Sequence, residues 1–261
     1  MPRFSANLGF LYPDRPLLAG LEAVAKAGFH GVECMSPYGE DPDTIQRTLT
    51  RHSLTQALFN TPPGDWGKGE RGLAALAGRD DDFSAAIAKS VKYAVALGCP
   101  RINVMAGIRD SNEPAERTND RLVERLGYAA DMFAPHGLNA LLEPINPFDM
   151  PGYAVNTPYE GLAILERVNR PNARLQYDFY HAQRTVGELT RFLREHLDII
   201  DHIQLADNPG RNQPGTGEIN YRFLLEELDR LGYAGWVGLE YKPLPDADRS
   251  FGWITEMGFS R

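Results

Sequence analysis

The chain has 261 residues, 43% of them hydrophobic, with a formal net charge of −8, enough apolar material for one large core and no need of a second domain. The acidic balance carries no stripe of Lys and Arg, which argues against nucleic acid as a partner. No run reaches membrane-spanning length and Met1-Pro-Arg-Phe-Ser-Ala-Asn7 holds no signal-peptide core, so no membrane is expected and the cytoplasm is the expected location.

Strand-like and helix-like stretches alternate from end to end, the pattern of a parallel sheet with crossover helices. The first strand is read over Arg3 to Asn7, followed by a helix from Pro16 to Ala27 that Gly28 stops. Gly31 to Met35 is the second strand, Pro42 to His52 its helix, and Leu54 to Asn60 the third strand. A Pro/Gly-rich loop carrying Trp66 comes next and reads as a lid. Asp80 to Leu97 is helical and ends at Gly98; Arg101 to Met105 is the fourth strand, and Thr118 to Phe133 the next helix, with Thr118 as its N-cap. Asn139 to Glu143 gives the fifth strand, and a helix begins at Thr157-Pro158. Arg174 to Asp178 is the sixth strand, Ile200 to Leu205 the seventh, Tyr221 to Leu231 a helix, and Trp236 to Glu240 the eighth strand before a helix-poor tail. Cys34 and Cys99 stand far apart without ligand spacing and read as buried thiols of a reducing compartment. Eight β/α units in one domain, residues 1–261, make an α/β fold of the single (β/α)8 TIM-barrel type. No GxGxxG follows the first strand, which removes the usual dinucleotide fingerprint.

Four consecutive strands finish in an oxygen-bearing side chain: Glu143, Asp178, Gln204 and Glu240. In a closed barrel these ends are neighbours at the mouth, with Leu141, Gln176, His202 and Gly238 facing the same way one layer down. Three converging carboxylates repel one another and draw protons unless a cation sits among them. An all-oxygen donor set favours a hard divalent metal, Mg²⁺ or Mn²⁺. Each acid alone could merely cap a helix or pair with a surface base, but four at successive strand ends point to one site. His30, His52, His136 and His196 read as solvated; His181, three residues past Asp178 on the same rim, reads as a substrate contact, and His202 as a core residue orienting a ligand.

The segments Glu143-Pro-Ile-Asn146, Gln176-Tyr-Asp-Phe-Tyr-His181, His202-Ile-Gln204, Asp207-Asn-Pro-Gly-Arg211, Pro214 to Tyr221 and Gly235 to Pro243 resemble the hydroxypyruvate isomerases, and the resemblance spans nearly the whole chain. That family belongs to the xylose-isomerase-like barrels. The resemblance implies a metal held by Glu143, Asp178, Gln204 and Glu240, with Glu143 and Glu240 as the acid/base pair for isomerising a small hydroxy-keto acid through an enediolate. The 2-oxo-tetronate isomerases share the acid pair, and sugar epimerases on this fold resemble the chain more loosely. For the substrate carboxylate the rim offers Arg211, His181 and Lys242, and the guanidinium fork of Arg211 suits it best. A hydride-shift isomerase wants a richer two-metal ligand set, a DNA-repair nuclease conflicts with the acidic charge, and a small-acid-binding barrel protein would not need the acid pair. Homo-oligomerisation stays open in the sequence.

Overall fold

Eight short parallel strands close on one another in chain order: β1 Arg3–Asn7, β2 Gly31–Cys34, β3 Thr55–Asn60, β4 Arg101–Asn103, β5 Asn139–Leu142, β6 Ala173–Asp178, β7 Ile200–Leu205 and β8 Trp236–Leu239, with β8 pairing back onto β1. A computed structural model describes all 261 residues. Parallel neighbours need a crossover between them, and the helices that supply it cover the outside of the barrel. The strands are thereby buried on both faces, and Val32, Phe59, Ile102, Leu142, Leu175, Ile203 and Val237 contribute to one continuous core.

The crossover helices follow the sequence signals. Pro42–Arg51 opens on Asp41, whose side chain accepts from Thr44 N–H at 3.0 Å, and Pro158–Val168 opens on Thr157, which accepts from Glu160 N–H at 3.1 Å. Tyr221–Arg230 is capped by Asn220 and Asp80–Leu97 stops at Gly98 in the left-handed region. The Thr118 expectation is corrected. The helix starts three residues earlier, at Ala115, behind Pro114, and Thr118 lies buried in its first turns, donating from its hydroxyl to Glu113 at 2.9 Å. After β6 the chain forms two helices, Phe179–Gln183 and Leu189–His196, and the tail expected to be helix-poor holds Ala247–Ser250 and Gly252–Glu256. Strand bounds differ by a residue or two because the ladder bonds end before the polar mouth; Glu143 and Glu240 each stand one residue past their strand.

Strand tilt staggers the mouth. Asp178 is level with Gln204, but Gln204 is level with Gly238, so Glu240 stands two residues further along its strand than Gln204's partner. On the other side Leu141 is level with Arg174, which sets Glu143 opposite Gln176. The four oxygen-bearing residues thus form a climbing series rather than a level ring, and Gln204 comes to lie beneath Glu240.

Candidate active site

At the carboxyl end of the barrel, ligand atoms of Glu143, Asp178, His181 and Glu240 all lie within 4.8 Å of one another, and all four residues are buried. The two glutamates are each held by a neighbouring strand end. Asn103, ending β4, donates to Glu143 Oε2 at 2.8 Å, and Asn7, ending β1, donates to Glu240 Oε1 at 3.2 Å. Asp178 caps the helix that follows it, its Oδ1 accepting from Tyr180 N–H at 2.8 Å, while its buried Oδ2 has no hydrogen-bond partner. A buried carboxylate oxygen left bare costs free energy and marks a place for a cation or a ligand donor.

Beneath the acids runs a layer of polar groups. Gln176 Nε2 donates to Gln204 Oε1 at 2.6 Å; Gln204 Nε2 donates to Glu240 Oε1 at 3.2 Å and to Glu33 Oε2 at 2.8 Å. Glu33, from β2, reaches across β1, accepting from Ser5 Oγ at 3.1 Å, and passes through the gap left by Gly238, where a Cβ would collide with its carboxylate. His202 Nε2 lies 3.3 Å from the same carboxylate, although neither ring nitrogen completes a hydrogen bond. His202 is therefore a fully buried neighbour of Glu33, and the residues that orient Gln204 are Gln176 and Glu33.

Burial and crowding push the three carboxyls of this cluster above the range in which water would ionise them. Burial, then the charges of Glu240 and Asp178, push the Glu143 carboxyl well above its usual range. Burial raises Glu240 to about 8 despite the opposing charge of Arg211, and raises Asp178 to about 6 despite Arg211 and two backbone N–H groups. His181 moves the other way: burial, reinforced by Arg211 and Arg184, keeps the ring neutral.

Arg211 is placed by its loop. Its backbone lies in the left-handed region at φ 56°, strained for a side chain that large, and is held by Arg211 N–H to Asp207 C=O at 2.8 Å and Lys242 N–H to Arg211 C=O at 2.7 Å. The guanidinium stacks between Phe10 and Tyr180, at 4.5 and 4.9 Å from their ring centres, and pairs with Glu240 and, at 3.3 Å, with Asp149. Of the three cationic residues expected at the rim, Arg211 and His181 meet the cluster, 3.3 Å apart. Lys242 is corrected: its side chain is exposed, no ion pair ties it to the carboxylates, and it serves the site through the backbone bond that pins Arg211. The Trp66 loop, read as a lid, has an exposed tip stacked on Arg71 at 3.8 Å, and its base is bonded to the barrel rim through Ala74 and Ala75.

Asn7, Glu33 and Asn103 carry the same signal as the acids, since they too stand at or near strand ends, on β1, β2 and β4 rather than β5 to β8. Asp149 lies in a loop and Phe10 in the four-residue helix Leu8–Leu11, too short for a periodicity to point inward.

A divalent cation suits these residues, since Asp178 Oδ2 lacks a partner, the carboxylates converge, and Gln204 Oε1 keeps a second lone pair beside its bond to Gln176. An eight-stranded barrel with this mouth defines a class, and the chain belongs to the xylose isomerase-like TIM barrel family, whose model matches residues 21–257. Within it the chain is 42% identical to hydroxypyruvate isomerase of Escherichia coli (strain K12), over 97% of this chain and 98% of that protein. It is equally similar, 42% over the same shares, to 2-oxo-tetronate isomerase of Cupriavidus necator. A crystal structure from Brucella melitensis described as an AP endonuclease, family 2, superposes with a TM-score of 0.95 at 42% identity, covering 98% of this chain and 99% of that one.

Proposed function

We propose that the protein interconverts hydroxypyruvate and tartronate semialdehyde, with Glu143 and Glu240 as the acid/base pair. The observation that carries this reading is the pair itself: two buried carboxyls brought from the ends of β5 and β8 into one cluster, both raised above the usual carboxyl range, so that a carboxyl there can give as well as take a proton. A proton leaves the C3 carbon to one glutamate, a proton arrives at C2 from the other, and the hydroxyl proton passes from O3 to O2 through the enediolate between them. Arg211, its plane fixed between two rings, offers its fork to the substrate carboxylate. His181 faces the substrate oxygens from the same side. Glu143, Asp178, Gln204 and Glu240 would hold Mg²⁺ or Mn²⁺, which when bound polarises the carbonyl and offsets the negative charge of the enediolate.

The relative from Cupriavidus supports a second reading, 2-oxo-tetronate, which presents the same carboxylate and adjacent carbonyl on a chain one carbon longer. A nuclease reading, suggested by the description of the Brucella protein, conflicts with a net charge of −8 and with two curated isomerases at the same identity. The substrate is in this reading a small acid, met in the cytoplasm, where the buried free thiols of Cys34 and Cys99 stay reduced.

Turnover of each acid by the purified protein, before and after exhaustive chelation and with Mg²⁺ or Mn²⁺ restored, tests the whole reading. Hydroxypyruvate should be the better substrate and chelation should abolish its turnover reversibly. Inertness toward both acids would overturn the isomerase reading, and full activity after chelation would remove the metal from it.

A further inference from the structure

His181 can present either of two faces to the cluster. With the ring proton on Nδ1, Nε2 is a lone pair able to ligate a cation; with the proton on Nε2, the same atom is a donor and cannot. The choice is made on the far side of the ring. There Asn146 points two groups at Nδ1, its backbone N–H at 3.4 Å and its side-chain Nδ2 at 2.6 Å. The backbone group can only donate. The side chain cannot turn over either, because Asn146 Oδ1 accepts from the backbone N–H groups of Phe148 and Asp149 at 3.1 and 3.0 Å, and a flipped amide would set two donors against two donors. Nδ1 is therefore an acceptor and the proton of the neutral ring sits on Nε2. Arg211 Nη2, 3.3 Å from Nε2, is the one neighbour that would prefer the opposite, and it has Glu240 Oε2 as an acceptor at 2.5 Å. Nε2–H faces the bare Asp178 Oδ2 at 3.6 Å and Glu143 Oε1 at 4.0 Å.

We propose that Asn146 is a positioning residue that locks His181 in the Nε2–H tautomer, making His181 a hydrogen-bond donor to the oxygen of the substrate carbonyl rather than a metal ligand. The role given to the donor rests on the isomerase reading above; the tautomer does not. The turn Asn146 to Asp149, directly after the Glu143 strand end, thereby connects the position of one acid to the protonation of the ring beside it. His181 stays off the metal although its ring nitrogen stands among the carboxylates.

Nitrogen NMR of protein labelled in histidine, at pH 7.5 and with the His181 signals assigned by their loss in H181Q, reads the tautomer directly. The wild-type ring should show a protonated Nε2 and a bare Nδ1; a proton on Nδ1 overturns the proposal. In N146D one carboxylate oxygen keeps the bonds to Phe148 and Asp149 while the other accepts from Nδ1, so the single proton of the neutral ring should move from Nε2 to Nδ1, leaving Nε2 bare, and kcat/KM on hydroxypyruvate should fall about tenfold or more. A bare Nδ1 in folded N146D counts against the lock, and unchanged kcat/KM with Nδ1 protonated and Nε2 bare counts against the donor role. If N146D does not fold, the wild-type spectrum alone decides the tautomer. A wild-type protein inert toward both acids yet showing Nε2–H sinks the isomerase reading and the donor role with it, and leaves the lock standing.

Discussion

Glu143 and Glu240 are held differently although the proposed reaction uses both. Asn103 fixes one oxygen of Glu143, whereas Glu240 has one oxygen fixed by both Asn7 and Gln204 and the other paired with Arg211. Glu143→Gln and Glu240→Gln keep size and one carbonyl oxygen but remove the base, so each should lower kcat by roughly 10²–10⁴-fold, the range of a positioned acid or base, with much smaller changes in KM. The double variant should lose little more than the worse single one, because both groups serve one enediolate. Run in deuterated water, the wild type should place deuterium on the carbon that gains hydrogen; product free of it, with near-normal turnover in either variant, would dismiss the pair. The acids themselves were legible in the sequence because a carboxylate ending an apolar strand has few structural reasons to be there. Glu33 stands near a strand end in the same way, but its reach into the site is not legible, since it depends on a missing side chain at Gly238, two strands away, and no local pattern reports such a gap.

Among the elements, the loop from Asp207 to Tyr221 does the most to shape the mouth, and its Pro and Gly content announced a shaped backbone before any fold was in view. What the composition concealed was the anchor. Buried Asp207 accepts backbone N–H groups of Asn208, Gly215, Gly217 and Ile219 at 3.0, 2.9, 2.9 and 3.1 Å, so one carboxylate gathers the loop as far as Ile219, twelve residues on. Its N–H in turn bonds Asn212 C=O at 2.8 Å and its C=O accepts from Arg211, closing the tight turn that aims the guanidinium. Asp207→Ala would leave several buried donors without partners and should destabilise the protein by about 3 kcal/mol or more in thermal or denaturant unfolding. KM should rise with it, since Arg211 loses its fixed direction. A stability loss below about 1 kcal/mol with KM intact would show that the loop holds its form through Gly and Pro alone. Phe179–Gln183 after β6 and Ala247–Ser250 and Gly252–Glu256 in the tail are not legible in the sequence because they are short, with five, four and five residues, too few for a 3.6-residue period to show.

Taken as one molecule, the barrel confines at its mouth a set of charges that it is better suited to hold with a cation than without one, and its stability should depend on pH accordingly. Asp178 is raised from its ordinary 3.8 to about 6, Glu240 from 4.5 to about 8, and Glu143 in the same direction, in each case with burial as the largest cause. Between about pH 4 and 8 the folded, metal-free protein therefore binds more protons at these groups than the unfolded chain, whose carboxyls ionise near 4. The slope of unfolding free energy with pH follows unfolded minus folded protons, which is negative here, so these groups make the metal-free protein less stable as pH rises through that window. The opposite trend is usual for carboxylates held by salt bridges, such as Glu113, which Arg121 lowers to about 2 and whose contribution is lost only in acid. A divalent cation reverses the balance at the mouth, because it binds the ionised form; binding at pH 7 should release protons, and the Tm gained on adding Mn²⁺ should grow from pH 5 to pH 8. Thermal melts of chelated and Mn²⁺-loaded protein across that range, with calorimetry in two buffers of different ionisation enthalpy to count the protons released, measure both effects. A metal-free Tm that climbs steadily from pH 5 to 8, or cation binding without proton release, would mean that the carboxyls at the mouth are already ionised and that something other than a cation holds them together.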